Sequence, residues 1–107
     1  MNQRDTKIKE ILRELAASFF SRESNRTSLI TVTDIEIRSH GATAVILATV
    51  MPENQEEVAI EFMRRQLTDF KEYVMNNSRI QRIPFFQVAL DKGEKNRQRL
   101  DEITKSV

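Results

Sequence analysis

Cysteine is absent from this chain, which excludes a disulfide framework, a Cys-ligated zinc or iron–sulfur site and any thiol chemistry. Only one histidine is present, His40, so no multi-histidine metal site exists and no Ser–His–Asp triad can use another base. Glycine occurs twice, at Gly41 and Gly93, and supplies no Gly-rich phosphate loop. The longest uninterrupted apolar run, Ala44 to Ala48, is far short of the roughly 20 residues that cross a bilayer. The first residues, Met1-Asn2-Gln3-Arg4-Asp5-Thr6-Lys7, carry an acid and lead into an amphipathic pattern, unlike a secretory or transit peptide. A cytoplasmic setting is the expectation. What remains is 107 residues with 39% apolar and 31% charged side chains, the balance of one foldable domain.

Net charge is +1, from 17 basic and 16 acidic residues, and does not by itself point to nucleic acid. The distribution is uneven. Residues 29–60 hold one basic and five acidic side chains, whereas 61–90 hold five basic and three acidic ones. Between Ser78 and Arg99, Arg79, Arg82, Lys92, Lys95, Arg97 and Arg99 face only Asp91 and Glu94 in sequence. A basic end and an acidic end would steer a polyanion to the first and away from the second. The plainer reading of the same charges is a solvated surface.

Hydrophobic spacing gives the elements. Ile8, Ile11, Leu12, Leu15, Ala16, Phe19 and Phe20 recur at steps of three and four, the stripe of an amphipathic helix, with Asp5 or Thr6 as its cap. Residues 21–28 are a polar loop. The stretch Ile30-Thr31-Val32-Thr33-Asp34-Ile35-Glu36-Ile37 alternates as a strand, but its phase slips near Asp34, which predicts a β-bulge. After the turn at 38–43, Ala44 to Met51 is uncharged and reads as a strand covered on much of both faces. Asn54-Gln55-Glu56-Glu57 has the form of a capping box, with Asn54 as N-cap and Glu57 at N3. Helical spacing then runs through Val58, Ala59, Phe62, Met63, Leu67, Phe70, Tyr73 and Val74. Unbroken, that helix would be about 34 Å long, so a bend is expected, placed at Thr68-Asp69 with Asp69 capping the second half. A last strand, Ile83 to Leu90, opens at Pro84, and a short helix with Leu100 and Ile103 as its apolar points closes the chain. The order α-β-β-α(bent)α-β-α implies an α+β domain spanning 1–107, with an ordered core over about 5–91 and the short helix and tail at 94–107: a three-stranded sheet with helices packed on one face.

Little here carries bond-making chemistry. His40 lies in a turn beside Gly41 and reads as a solvated histidine, not a base with an orienting partner. Glu56/Glu57 and Asp101/Glu102 are adjacent pairs that diverge around a helix and form no dyad. No serine or threonine has a nucleophile-elbow context. Of the adjacent Phe85 and Phe86, one should face outward, where it could stack on a base or serve the far side of the sheet. Neither a cofactor nor a metal is expected.

The pattern resembles the ribosome-binding factor A family, bacterial factors for assembly of the small ribosomal subunit. The resemblance runs from about Ile8 to Ile103. It is carried by the Ile30–Ile37 stretch, by Ala44 to Val50, by Arg79-Ile80-Gln81-Arg82-Ile83-Pro84-Phe85-Phe86, which is similar to the family's basic run into its third strand, and by Arg99-Leu100-Asp101-Glu102-Ile103. It implies a type II KH-like fold without the GxxG backbone clamp, which this chain also lacks. Two family features are changed. Leu67-Thr68-Asp69 stands where the family has an Ala-x-Gly bend, and Ser24-Asn25-Arg26 stands where it commonly has Asp-Pro-Arg. Such departures suit a divergent member or a paralogue with another partner.

The function implied is that of a non-enzymatic assembly factor. As a monomer it would bind ribosomal RNA of the immature small ribosomal subunit, with no membrane and no small-molecule substrate. Arg79 and Arg82 match the family's basic run. Together with Arg64, Arg65, Lys71, Lys92, Lys95, Arg97 and Arg99 they would neutralise phosphates, and RNA shape would supply most of the selectivity. The alternative is a protein-interaction module that uses the helical layer or a sheet edge without touching RNA.

Overall fold

A computed structural model describes residues 3–23 and 28–93. The elements are α1 (Gln3–Glu23), β1 (Leu29–Arg38), β2 (Thr43–Met51), α2 (Glu56–Arg65), α3 (Leu67–Asn77) and β3 (Phe85–Leu90), with 3₁₀ turns at Ser39–Gly41 and Glu53–Gln55. The order expected from the sequence is therefore present as far as β3. The expected C-terminal helix, and with it Lys95, Arg97 and Arg99, lies outside the described residues.

The sheet is mixed, in the order β1-β2-β3, with β2 antiparallel to β1 and parallel to β3. Its register explains the slipped phase of β1. Val32 pairs with Ala48 and Asp34 with Leu47, so Thr33 has no partner across the ladder and forms the bulge. That extra residue turns Ile30, Val32, Ile35 and Ile37 all to one face, opposite Val50, Ala48, Ile46 and Ala44. Phe86, Val88 and Leu90 of β3 align with Ala44, Ile46 and Ala48 to complete it. Thr33 Oγ1 lies 2.5 Å from Asp91 Oδ2 and 3.2 Å from the Leu47 carbonyl, so its one proton ties the bulge to the chain just beyond β3.

All three helices pack on this face. Leu12, Ala16, Phe19 and Phe20 of α1, Ala59 and Met63 of α2, and Phe70 and Val74 of α3 are buried with the strand residues in one cluster. The Phe70 ring is its hub, with centroids 5.4 Å from Phe19, 5.4 Å from Phe20 and 4.9 Å from Phe86. On the open face polar and apolar side chains are mixed. Leu29, Leu47, Met51, Phe85 and Ala89 are apolar on it, and Val45 alone is buried there, between its register neighbours Glu36 and Gln87, so β2 is covered on its second face only around that residue. Of the two adjacent phenylalanines, Phe86 enters the core and Phe85 faces outward, 68% exposed.

Four local expectations are corrected. The helical break falls at Gln66, not at Thr68-Asp69. Gln66 N–H reaches the carbonyls of both Met63 and Phe62, at 3.0 and 3.2 Å, while its own carbonyl accepts the first bond of α3 from Phe70 N–H at 2.9 Å. Asp69 is thus in the first turn of α3, where its charge meets the positive end of the helix without capping it. The capping box at 54–57 does not form. Asn54 lies inside the 3₁₀ turn that follows Pro52, the residue before α2 is Gln55, and the Gln55 side chain makes no cap hydrogen bond. Helix α1 already runs through Asp5 and Thr6, so neither is its N-cap. Strand β3 starts at Phe85, after Ile83 and Pro84.

Candidate nucleic-acid interface

Helices α1 and α3 run antiparallel. Phe70, early in α3, meets Phe19 and Phe20 late in α1, and the Tyr73 hydroxyl lies 3.4 Å from Ser18 Oγ. The end of α3 therefore comes out beside the start of α1. There Ser78 takes extended backbone and stops the helix. Its hydroxyl donates to the Val74 carbonyl at 2.7 Å and accepts from Ile80 N–H at 3.3 Å, a local turn that competes with further helix. The turn sends Ile80 toward the core and leaves Arg79, Gln81 and Arg82 exposed.

The result is an open cleft of about 500 Å³ lined by Lys7, Ile8, Ile11, Arg79, Ile80, Gln81 and Arg82. Among the described residues, three cations stand on its rim and no acid lines it. Among the described residues none of the three is in an ion pair, whereas Lys9, Arg38 and Arg64 are. An exposed, unneutralised guanidinium pair beside an ammonium suits phosphate oxygens.

The other candidate cations lie elsewhere. Arg64 is bonded to Glu61 one turn back, and the Arg65 Nε–H points at the Glu61 carbonyl at 3.4 Å. Both close the last turn of α2, where basic side chains complement the negative end of the helix. Arg64 and Lys92 line a second cleft, of about 560 Å³, but share it with Glu56, Glu57 and Glu61. Three carboxylates there oppose a polyanion. Lys71 is exposed on α3 and lines neither cleft. The described cations thus form no single flank: Arg79 and Arg82 come together, and Arg64, Arg65, Lys71 and Lys92 do not join them. Sequence reasoning missed Lys7 and Gln81. Lys7 borders the apolar stripe of α1 beside Ile8, but its pairing with residues 79–82 is tertiary and leaves no local signature.

The acidic stretch is also partly neutralised. Asp34 meets Lys9 of α1 at 3.5 Å, and Glu36 accepts from Arg38 Nε at 2.8 Å. That bond and the carboxylate charge push the Arg38 pKa above its ordinary value. His40 stands exposed at the tip of the β1–β2 connection, with left-handed backbone at φ 56°. Among the described residues no cluster of three or more His, Cys, Asp or Glu could hold a metal ion, and no helix is long and apolar enough to cross a membrane.

No family model matches the chain, and no curated protein matches it. Solved structures do. The crystal structure of ribosome-binding factor A from Thermus thermophilus aligns over 82% of this chain and 96% of its own, with a TM-score of 0.70 at 16% identity. The solution structure of a Thermotoga maritima protein provisionally assigned as a ribosome binding factor A aligns over 82% and 83%, with a TM-score of 0.57 at 20% identity. The chain is thus an α+β protein whose mixed three-stranded sheet and three helices form a recognised fold. That fold is the one adopted by ribosome-binding factor A.

Proposed function

We propose that this chain is a member of the ribosome-binding factor A family that acts without catalysis in the cytoplasm. It docks as a monomer on ribosomal RNA of the small ribosomal subunit during maturation. The observation that carries this reading is the cleft between the start of α1 and the turn after α3, whose described lining holds three cations and no acid, on a fold shared with ribosome-binding factor A. Lys7, Arg79 and Arg82 take phosphate oxygens and fix the register; the shape of the folded RNA supplies selectivity. The test is sedimentation with small-subunit particles at low and high salt. Co-sedimentation that weakens as salt rises supports the reading; absence from the particles at low salt refutes it.

A second reading, a protein-interaction module, is favoured by one feature of the sheet. The β1 edge is guarded by a bulge and by Asp34, Glu36 and Arg38, whereas the free edge of β3, Phe85–Leu90, carries neither charge nor proline. No described strand pairs with that edge, and an extended partner segment could add to it. Binding to protein-free ribosomal RNA fragments separates the two, since only the first reading requires it.

A further inference from the structure

The cleft that would seat phosphates contains more than phosphates need. Between its cations lie Ile8, Ile11 and Ile80, each only half-buried, with the Gln81 amide beside them. A phosphate is hydrated and gains nothing from aliphatic walls; exposed cations on a flat surface would serve it as well. The volume, about 500 Å³, falls among concave sites that take small organic ligands, roughly 300–1,000 Å³. A paired helix cannot fill such a space, because it shows phosphates and sugars outward and keeps its base faces stacked. A base that has left its stack offers what the floor lacks: a flat, weakly polar face with hydrogen-bonding edges. Gln81 carries both a donor and an acceptor for such an edge and adds no charge to repel the backbone.

We infer that the cleft takes one unpaired nucleotide of single-stranded RNA. Its base lies on Ile8, Ile11 and Ile80 beside Gln81, and neighbouring phosphates lie on Lys7, Arg79 and Arg82. This rests on the RNA-docking reading and sharpens it, for it says that the chain selects unstacked over paired RNA at this point. Three cations imply a log–log salt slope of about −2, taking roughly 0.7 per phosphate for a single strand.

The experiment is fluorescence anisotropy on the full chain with three probes of equal length: a labelled uridine octanucleotide, an abasic ribose-phosphate octamer of the same charge, and a blunt RNA duplex. The expected result is at least tenfold tighter binding of the uridine strand than of either other probe, about 1.4 kcal/mol. Arg79→Ala should weaken the uridine and abasic strands by a similar factor, and Ile8→Thr should weaken only the former. Equal affinity for the uridine and abasic strands overturns the inference while leaving phosphate docking intact. Equal competition by octaglutamate also overturns it, showing a cleft that selects negative charge alone. Binding to small-subunit particles with no binding to the uridine strand overturns the inference and spares the broader reading. Failure on both overturns the two together.

Discussion

Replacing Phe70 by alanine tests how the three helices and the sheet are held together. Phe70 is fully buried, and its ring bridges α3 to Phe19 and Phe20 of α1 and to Phe86 of β3, at centroid distances of 4.9 to 5.4 Å. Truncation of a buried phenylalanine costs about 3–5 kcal/mol through lost transfer energy and the cavity left behind. Three aromatic neighbours, each worth about 0.5–1.5 kcal/mol beyond its area, place this site at the upper end. A domain of this size has roughly 5–15 kcal/mol in all, so the variant should lose at least a third of its stability. With a urea m-value of about 1.5 kcal/mol/M, the midpoint should fall by roughly 3 M at unchanged m. Phe70→Leu keeps most of the volume and loses the ring pairs; it should cost about 1–2 kcal/mol. Urea unfolding followed by far-UV circular dichroism gives both values. A fall of less than about 0.5 M for the alanine variant would refute the placement of this ring at the junction of α1, α3 and β3.

Other perturbations probe single devices. Thr33→Val removes the hydroxyl that ties the bulge to Asp91 and should cost about 1–2 kcal/mol in urea unfolding, while Thr33→Ser should cost little. Gly41 has φ +91° with open space where a Cβ would stand, so the cost of Gly41→Ala comes from the backbone alone. That cost should be about 1 kcal/mol or more, lowering Tm by roughly 4–8 °C in a thermal scan. Arg64→Ala breaks an exposed i,i+3 pair, and stability should stay within about 0.5 kcal/mol of the parent.

Much of the fold was legible because it is written in periodicity. A phase slip between Val32 and Ile35 can be read directly, since strand side chains alternate and only an extra residue keeps both apolar pairs inward. Capping was misread because the same letters serve several local structures. Asn54-Gln55-Glu56-Glu57 fits a capping box, yet the 3₁₀ turn after Pro52, closed by Gln55 N–H on the Pro52 carbonyl at 3.0 Å, has already used those residues. Length alone did not require the helical break either. Helix α1, with 21 residues, spans about 31 Å unbroken. What locates the break is the carbonyl pair that Gln66 N–H shares, which propensity does not encode. Half of the cleft was legible, since Arg79 and Arg82 sit in a basic run. Its other wall comes from Lys7, Ile8 and Ile11 at the far end of the chain, and only the antiparallel packing of α1 on α3 brings them together.

The claim that matters most is that the chain holds folded RNA through the cations of this one cleft. Its most direct test is the salt dependence of binding to small-subunit ribosomal RNA, measured for the parent and for the Arg79→Ala/Arg82→Ala double variant. Removing two phosphate contacts should flatten the log–log slope by about 1.4 to 1.8 and weaken binding at low salt. Arg64→Ala, whose guanidinium is held by Glu61, should leave the slope unchanged. An unaltered slope in the double variant, with the fold intact, would contradict the account.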